Sequence, residues 1–250
     1  MNPTRLLEFR GIDHSFERGV PILRGLSAEI PLEGVTFVVG KSGSGKSVLC
    51  RLAVGLLRPS AGQVRLLDCA VHLAPERALR ELRARAPYLV QGPALLDWLT
   101  IERNVALAAK ENGTPEGPRV AHALERVGLS EFATAFPPAL GPGLKKRAAI
   151  ARALVLEPEF LLLDEPTTGL DRSAAAQVNQ VIGSLRREGL GALVVSHDYR
   201  SLEGMADRVV VVSNGQAKLY ASRDEFLTSK DPEVTALLSA AASSDEVRDG

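Results

Sequence analysis

A glycine- and serine-rich octapeptide constrains the fold of this 250-residue chain more than any other segment. The octapeptide GKSGSGKS (40–47) follows the β-branched apolar run GVTFVVG (34–40) and precedes KSVLCRLAVGLL (46–57), whose apolar residues have helical spacing. It fits the pattern G-x-x-x-x-G-K-[ST] in the strand-to-helix context that this pattern requires. The sequence therefore predicts a phosphate-binding loop between a buried strand and a helix.

Each part of this loop has a role in binding phosphate. Glycine allows successive backbone N–H groups to turn inward around phosphate oxygens, and the following helix adds its positive N-terminal end. We expect Lys46 to reach the β- and γ-phosphates and the Ser47 hydroxyl to bind Mg²⁺. The residues predicted to surround the phosphates are Gly40, Lys41, Ser42, Gly43, Ser44, Gly45, Lys46 and Ser47.

Polar side chains also follow three other predicted strands. Asp164 and Glu165 end an apolar strand, and Gln91 and His197 each follow another. One carboxylate there can hold hydrated Mg²⁺ and the second can polarise the attacking water, although strand-end acids also commonly cap the next helix. An amide oxygen can bind Mg²⁺ or water, and a neutral imidazole can donate one hydrogen bond and accept another. We predict Asp164, Gln91 and Ser47 as metal ligands, and Glu165, Gln91 and His197 as catalytic groups.

Composition limits the classes of function. With 45% hydrophobic residues, the chain can bury a large core in one α/β domain or a domain with a subdomain. Lysine plus arginine and aspartate plus glutamate both total 30, so nothing predicts a nucleic-acid partner. Two cysteines cannot build a disulfide framework or a metal site. No signal peptide and no apolar run of about 20 residues is present, so we expect a cytosolic chain.

The order of patterns predicts one domain with an insertion. Strands alternate with helices, which favours a mostly parallel sheet with ligands at the carboxyl ends of its strands. The block at about 92–158 is helical in pattern and broken by glycine and proline, which predicts an inserted helical subdomain. Asn214-Gly215 predicts a hairpin turn. We expect a single domain over 1–240 and a disordered tail at 241–250, where residues are small and polar.

From about Phe9 to Leu227 the chain resembles the ATPase subunits of ABC transporters. The motifs that carry the resemblance are, in chain order, Gly40–Ser47, Gln91, LGPGLKKRAAIARAL (140–154), Asp164-Glu165, TTGLD (167–171) and His197. It implies an α/β P-loop NTPase fold of the ABC ATPase type, with a mostly parallel sheet core, an N-terminal antiparallel β part and an inserted helical subdomain. It also implies ATP and Mg²⁺ as cofactors, Phe16 stacked on adenine, and Asp171 in a loop that contacts a partner subunit.

The resemblance further implies partners. They are transmembrane permease subunits and a second ATPase subunit, with a homodimer expected in preference to a heterodimer, so the chain would lie at the cytoplasmic face of the inner membrane. The segments LVQGPALLDWLTIERNVAL (89–107), LKKRAAIARAL (144–154) and DPEVTALL (231–238) look like the Mla/Mkl-type ATPases that serve phospholipid transport with MCE-type proteins. The alternatives are an ATPase of another ABC importer or exporter, or a nucleotide-gated regulatory subunit with little hydrolysis.

One segment departs from the family pattern. Leu140-Gly141-Pro142-Gly143-Leu144 stands where the family carries the signature Leu-Ser-Gly-Gly-Gln, which closes on the γ-phosphate held by the other subunit. Gly141 lacks the serine hydroxyl and Pro142 lacks an N–H, while Gly141 and Gly143 keep their backbone amides. Hydrogen bonds to charged groups contribute about 1.5–3 kcal/mol each, so losing two costs roughly 3–6 kcal/mol. We therefore expect slow hydrolysis. Proline does suit the first turn of a helix.

Overall fold

The computed structural model describes residues 5–16, 20–111 and 117–248, without the side chains of 110, 111 and 242–248. The chain forms two units, Met1–Leu82 with Ala192–Gly250, and Arg83–Gly191. The elements in chain order are β1 (Leu6–Ser15), β2 (Pro21–Pro31), β3 (Val35–Val39), α1 (Lys46–Ala53), β4 (Ala61–Leu66), β5 (Cys69–Ala70), α2 (Glu76–Arg85), β6 (Tyr88–Leu89), α3 (Ile101–Glu111), α4 (Gly117–Arg126), α5 (Pro142–Leu154), β7 (Phe160–Asp164), α6 (Arg172–Arg187), β8 (Gly191–Val195), α7 (Tyr199–Met205), β9 (Arg208–Ser213), β10 (Gln216–Tyr220), α8 (Arg223–Leu227) and α9 (Pro232–Arg248).

The N-terminal strands of the first unit form the predicted antiparallel part. Their order is β2-β1-β4-β5, and β1 pairs antiparallel with both β2 and β4. Polar and apolar residues mostly alternate along β1, and its apolar members Leu7, Phe9 and Ile12 are buried. This alternation is typical of a sheet with one face in the core and one in solvent.

The other strands of the first unit hold the phosphate loop. β3 lies parallel to β8 on one side and to β9 on the other, and β10 pairs antiparallel with β9. β3 and β8 are buried along their whole length, which accounts for their apolar sequences, in which Thr36 is the one polar residue. The β9–β10 hairpin turns at Asn214 (φ 50°) and Gly215 (φ 77°), so the predicted turn is confirmed.

In the second unit, β6 and β7 pair in parallel. The described residues between these two strands form only helical elements, which are α3, α4, α5 and two single 3₁₀ turns at Ser130–Phe132 and Pro137–Ala139. The segment predicted to be helical, 92–158, falls within this stretch. α5 packs closely on α6, since a Cβ built on Gly143 would lie 2.8 Å from the Cβ of Ala174.

Two boundaries differ from those predicted. α1 ends at Ala53 rather than at residue 57, because Gly55 turns the chain with φ 68° where a Cβ would lie 2.6 Å from Leu79 Cδ2. At the other end, α9 continues to Arg248, so most of the segment predicted as a disordered tail is helical. Alanine and serine between 239 and 244 permit this, since alanine is the strongest helix former.

In the described part of the chain, no helix combines the length and apolar character needed to cross a bilayer.

Replacing Gly62 with alanine is expected to destabilise the fold more than replacing Gly189. Both glycines have nearly the same φ, +91° and +88°, so each variant loses about 1–2 kcal/mol of unfolding free energy through backbone strain. At Gly62 the new Cβ would also lie 2.3 Å from the carbonyl oxygen of Gly11, whereas nothing lies within 4 Å at Gly189. Overpacking adds roughly 1–3 kcal/mol to the first loss. Urea unfolding measures both, and equal losses would contradict the close approach of the two backbones.

Candidate functional site

Two glycines shape the phosphate loop because no other residue fits their positions. Gly40, where β3 ends, has φ 150°, and a Cβ there would lie 2.2 Å from the carbonyl oxygen of Val212. Gly45 caps α1 with φ 103°, and its Cβ would lie 2.8 Å from Leu23 Cδ2. The glycines therefore bring the loop backbone close to its neighbours and point α1's first N–H groups toward the loop.

The loop's polar side chains fit a phosphate ligand. Lys46 Nζ donates hydrogen bonds to the carbonyl oxygens of Gly40 and Lys41, each at 2.9 Å, which folds the ammonium over the loop. The Oγ atom of Ser44 is buried without a hydrogen-bond partner among the described residues. Buried polar groups nearly always have partners, so this hydroxyl is available to a ligand. A cation, a spare hydroxyl and a helix N-terminus together suit the phosphates of ATP.

His197 lies at the same edge of the first unit as the phosphate loop. Val195 of β8 is opposite Val38 of β3, and the Ser196 N–H donates to the Val38 carbonyl at 3.3 Å. Because the two strands run parallel, both chains leave the sheet at their carboxyl ends, one into the phosphate loop and one into His197. The His197 side chain is exposed at this edge. The catalytic role of His197 stays a prediction.

Phe16 follows β1 and presents an exposed ring. The ring is 57% exposed and meets the buried His14 edge to face, with 5.1 Å between ring centroids and 88° between planes. An exposed aromatic ring held at its edge leaves a face for stacking. The adenine contact of Phe16 stays a prediction.

In the second unit, Asp164 ends β7 with a buried carboxylate. It is 4% exposed, and the Tyr88 hydroxyl donates to its Oδ2 at 2.6 Å. Sequence reasoning missed Tyr88. The only signal was that its strand PYLVQ also carries Gln91, since parallel pairing of β6 with β7 brings these residues to one edge. The tyrosine stabilises the buried charge and fixes the carboxylate's orientation.

Glu165 has an unusual backbone conformation. Its φ is 50°, in the left-handed region that costs a non-glycine residue about 1–3 kcal/mol and that is concentrated at functional sites. Its Oε2 accepts a hydrogen bond from Thr168 Oγ1 at 2.8 Å, so the TTGLD segment orients the carboxylate. Gln91, one strand away in the same unit, is exposed.

Lys146 of α5 lies between these two residues. Its Nζ donates to the carbonyl oxygen of Glu165 at 3.1 Å and to that of Gln91. Burial lowers the pKa of Lys146, while the negative charges of Glu165 and Asp164 act in the opposite direction. Lys146 is half-buried, and both of its acceptors belong to the backbone of predicted site residues.

The segment that departs from the family signature begins α5. Gly141 is the N-cap and makes no side-chain capping bond, and Pro142 occupies the first turn, as predicted. Both residues are exposed, so the hydroxyl and the N–H that this segment lacks would have been surface groups. Gly143 is buried against α6, where packing requires glycine. Asp171 caps α6 by accepting from the Ala174 N–H at 2.8 Å, and its contact with a partner subunit stays a prediction.

The predicted Mg²⁺ ligands Ser47, Gln91 and Asp164 would supply only oxygen, which suits this ion. Within the described residues no group of three or more histidine, cysteine, aspartate or glutamate side chains could hold a metal by itself. Magnesium usually takes one or two protein ligands and completes its shell with water and substrate phosphate, so the residues present fit the ion.

Ser44→Ala is expected to weaken ATP binding about ten- to a hundredfold without destabilising the free protein. The hydroxyl's one available bond is to the ligand, and a hydrogen bond to a charged group contributes about 1.5–3 kcal/mol. Removing an unsatisfied buried hydroxyl should leave the melting temperature unchanged or slightly higher. Calorimetric titration with ATP and thermal unfolding measure the two effects. A drop in stability with unchanged affinity would show that the hydroxyl serves the fold instead.

Comparison with known proteins agrees with this geometry. The ABC transporter family model matches residues 23–168. A putative ABC transporter ATP-binding protein of Pyrococcus furiosus is 36% identical over 225 residues, covering 88% of this chain and 85% of that protein. The aliphatic sulfonates import ATP-binding protein SsuB of Pseudomonas putida is 38% identical over 204 residues, covering 81% and 72%. The solved structure of cbiO1 from Clostridium perfringens, part of the ABC transporter complex cbiONQ, superposes with a TM-score of 0.80 at 27% identity, covering 92% and 93%. The chain belongs to the ABC transporter family and is one of its ATP-binding ATPase domains.

Proposed function

We propose that this chain is the subunit that binds MgATP and hydrolyses it to power a membrane permease, with turnover limited by its altered signature loop. The observation that carries the proposal is the phosphate loop. Its lysine is folded over the loop carbonyls, and the buried Ser44 hydroxyl has no partner among the described residues. Neither feature serves the fold alone, since a buried unsatisfied hydroxyl costs about 1–3 kcal/mol without a ligand.

The proposed roles are those that the residue chemistry and the resemblance to ABC transporter ATPases imply. The phosphate loop binds the triphosphate, Ser47 and Asp164 hold Mg²⁺, and Gln91 binds the ion or the attacking water. Glu165 polarises that water, since the hydrogen bond from Thr168 orients its carboxylate. Magnesium, when bound, neutralises charge that develops on the phosphate oxygens. His197 contacts the γ-phosphate and orients the water, and Phe16 stacks on adenine.

The signature loop sets the rate in this proposal. In a dimer, this loop from one subunit would close on the nucleotide of the other, and a second copy of this chain is the proposed partner. Gly141 and Pro142 are exposed and offer neither a hydroxyl nor, at Pro142, an N–H. The two lost hydrogen bonds correspond to roughly 3–6 kcal/mol, which would slow hydrolysis by about 10²–10⁴-fold if all of it acted at the transition state. The N-terminus of α5 recovers part of this.

The permease would dock on the helical segment of the second unit. Trp98 is 72% exposed there, in the apolar stretch PALLDWLTIERNVAL (93–107), and Phe136 is 50% exposed. Isolated exposed apolar residues are common, but a largely exposed tryptophan is typical of an interaction surface. The proposed location is therefore the cytoplasmic face of a membrane, with attachment through the permease.

A phospholipid or other lipid is the proposed cargo, with an MCE-type protein in the complex. The support is the likeness of three segments, 89–107, 144–154 and 231–238, to the Mla/Mkl-type ATPases. The names of the relatives do not add to this support, since SsuB is named for aliphatic sulfonates. An ATPase of another ABC importer therefore remains the alternative for the cargo.

A second candidate function is a nucleotide-gated subunit that closes on ATP but hardly hydrolyses it. The observation that favours it is the same exposed Gly141-Pro142 pair. Against it stand the complete set of phosphate-loop residues and the two acids at the end of β7, Asp164 and Glu165, which a chain without turnover does not require.

Glu165→Gln is expected to reduce ATP turnover by the purified chain at least about a hundredfold while ATP still binds. Loss of a positioned general base typically costs 10²–10⁴-fold, and the amide keeps the shape of the carboxylate. Phosphate release measures turnover, and a fluorescent ATP analogue measures binding. If wild-type turnover is no greater than that of the variant, the proposal that the chain hydrolyses ATP is overturned and the nucleotide-gated subunit becomes the favoured function.

Restoring the signature with Gly141→Ser and Pro142→Gly together is expected to raise turnover about tenfold or more. The pair returns one hydroxyl and one N–H at an exposed helix start, and neither substitution disturbs buried packing. The same assay measures it, with Glu165→Gln added to the double variant as the control that hydrolysis still uses Glu165. An unchanged rate would show that the loop does not limit turnover.

A further inference from the structure

A single ammonium group joins the ends of two parallel strands in the second unit. Lys146 Nζ donates to the carbonyl oxygen of Glu165, which follows β7, and to that of Gln91, which follows β6. Both acceptors are main-chain atoms, so the hydrogen bonds of the lysine act on the backbone of these residues. The two strands pair over a short register, with Tyr88 opposite Leu162 and Leu89 opposite Leu163.

Both segments that Lys146 holds contain a left-handed residue. Glu165 itself has φ 50°, and Ala94, three residues after Gln91, has φ 46°. Such conformations persist only where surrounding contacts hold them. Without those contacts, each backbone can relax toward the ordinary right-handed or extended region, which would turn the neighbouring side chains.

A second cation of α5 holds the other end of the Gln91 segment. Arg152 donates to the carbonyl oxygens of Ala94 at 2.5 Å and Pro93 at 3.0 Å. The segment 91–94 is therefore bonded to α5 at both ends, by Lys146 and by Arg152. Burial lowers the pKa of Arg152, as it lowers that of Lys146, because both cations are partly shielded from solvent where they make these bonds.

We propose that Lys146 is a positioning residue for ATP hydrolysis, because its ammonium fixes the Gln91 and Glu165 backbones relative to each other. The inference rests on the proposed hydrolytic role of Glu165. Lys146 also lies one turn after Pro142, so the helix that starts at the signature loop is bonded directly to the residue that polarises water. A shift of α5 would move Glu165 and Gln91 together, and misplacing a reacting group by about 1 Å can cost roughly 100-fold in rate.

Kinetics of three variants test this role. Lys146→Met keeps the length of the side chain but removes its donors, and Lys146→Arg keeps donors that can reach two carbonyls. Lys145→Met is the matched control, since it removes the same charge from the adjacent position of the same helix. We expect Lys146→Met to lower kcat about tenfold or more with KM for ATP within about twofold, Lys146→Arg to recover most of the rate, and Lys145→Met to stay near wild type. Equal kcat for Lys146→Met and wild type would overturn the proposal, as would equal losses in both lysine-to-methionine variants.

Amide hydrogen exchange provides a readout that does not need turnover. Lys146→Met should speed exchange in peptides covering 89–94 and 163–168, and Lys145→Met should not. Unchanged exchange in these two peptides would overturn the positioning role even if kcat falls. If Lys146→Met speeds exchange but the wild-type protein does not hydrolyse ATP, the Lys146 contacts are supported and the proposed function is overturned. The failure of the positioning role and the failure of the proposed function are therefore distinguishable.

Discussion

Parallel pairing of fully buried strands is the constraint on which the rest of this structure depends. β3, β7 and β8 are buried along their whole length, so the polar groups predicted to act on ATP lie at the last residue of a strand or after it. Pairing then fixes where those groups emerge: the phosphate loop and His197 leave one edge of the first unit, and Gln91 and Glu165 leave one edge of the second. The burial that stabilises the strands thus also positions the site.

The backbone at these strand ends cannot remain regular, and the chain meets this requirement in two ways. Where no side chain is needed, glycine takes the unusual conformation, as at Gly40 and Gly45. Where the carboxylate is needed, glycine is excluded, and Glu165 adopts φ 50° with its side chain held by Thr168 and its carbonyl held by Lys146. Strain of about 1–3 kcal/mol is offset by these charge-assisted and neutral hydrogen bonds.

Sequence patterns could predict the elements that carry the site because the information there is local. A strand, a glycine-rich turn and a helix start fall within a dozen residues around Lys46, and the turn at Asn214-Gly215 needs only two. The groups that were missed act across long sequence separations: Tyr88 reaches Asp164 over 76 positions, and Lys146 reaches Gln91 over 55. No period or spacing reveals such contacts, since they depend on which side chains the folded elements bring together. The tail prediction failed because a small, polar composition did not exclude an alanine-supported helix.

We propose that the predicted catalytic groups support hydrolysis in this chain and that closure of the Gly141-Pro142 loop on nucleotide limits the rate. Nucleotide-dependent self-association tests this most directly, because it separates closure from chemistry. The measurement is the sedimentation-derived dimerisation constant of Glu165→Gln protein with and without MgATP, with the native loop and with Gly141→Ser/Pro142→Gly. We expect ATP to promote dimerisation with either loop, and the restored loop to tighten the ATP-bound dimer about tenfold or more. Equal dimerisation constants for the two loops in the presence of ATP would contradict it.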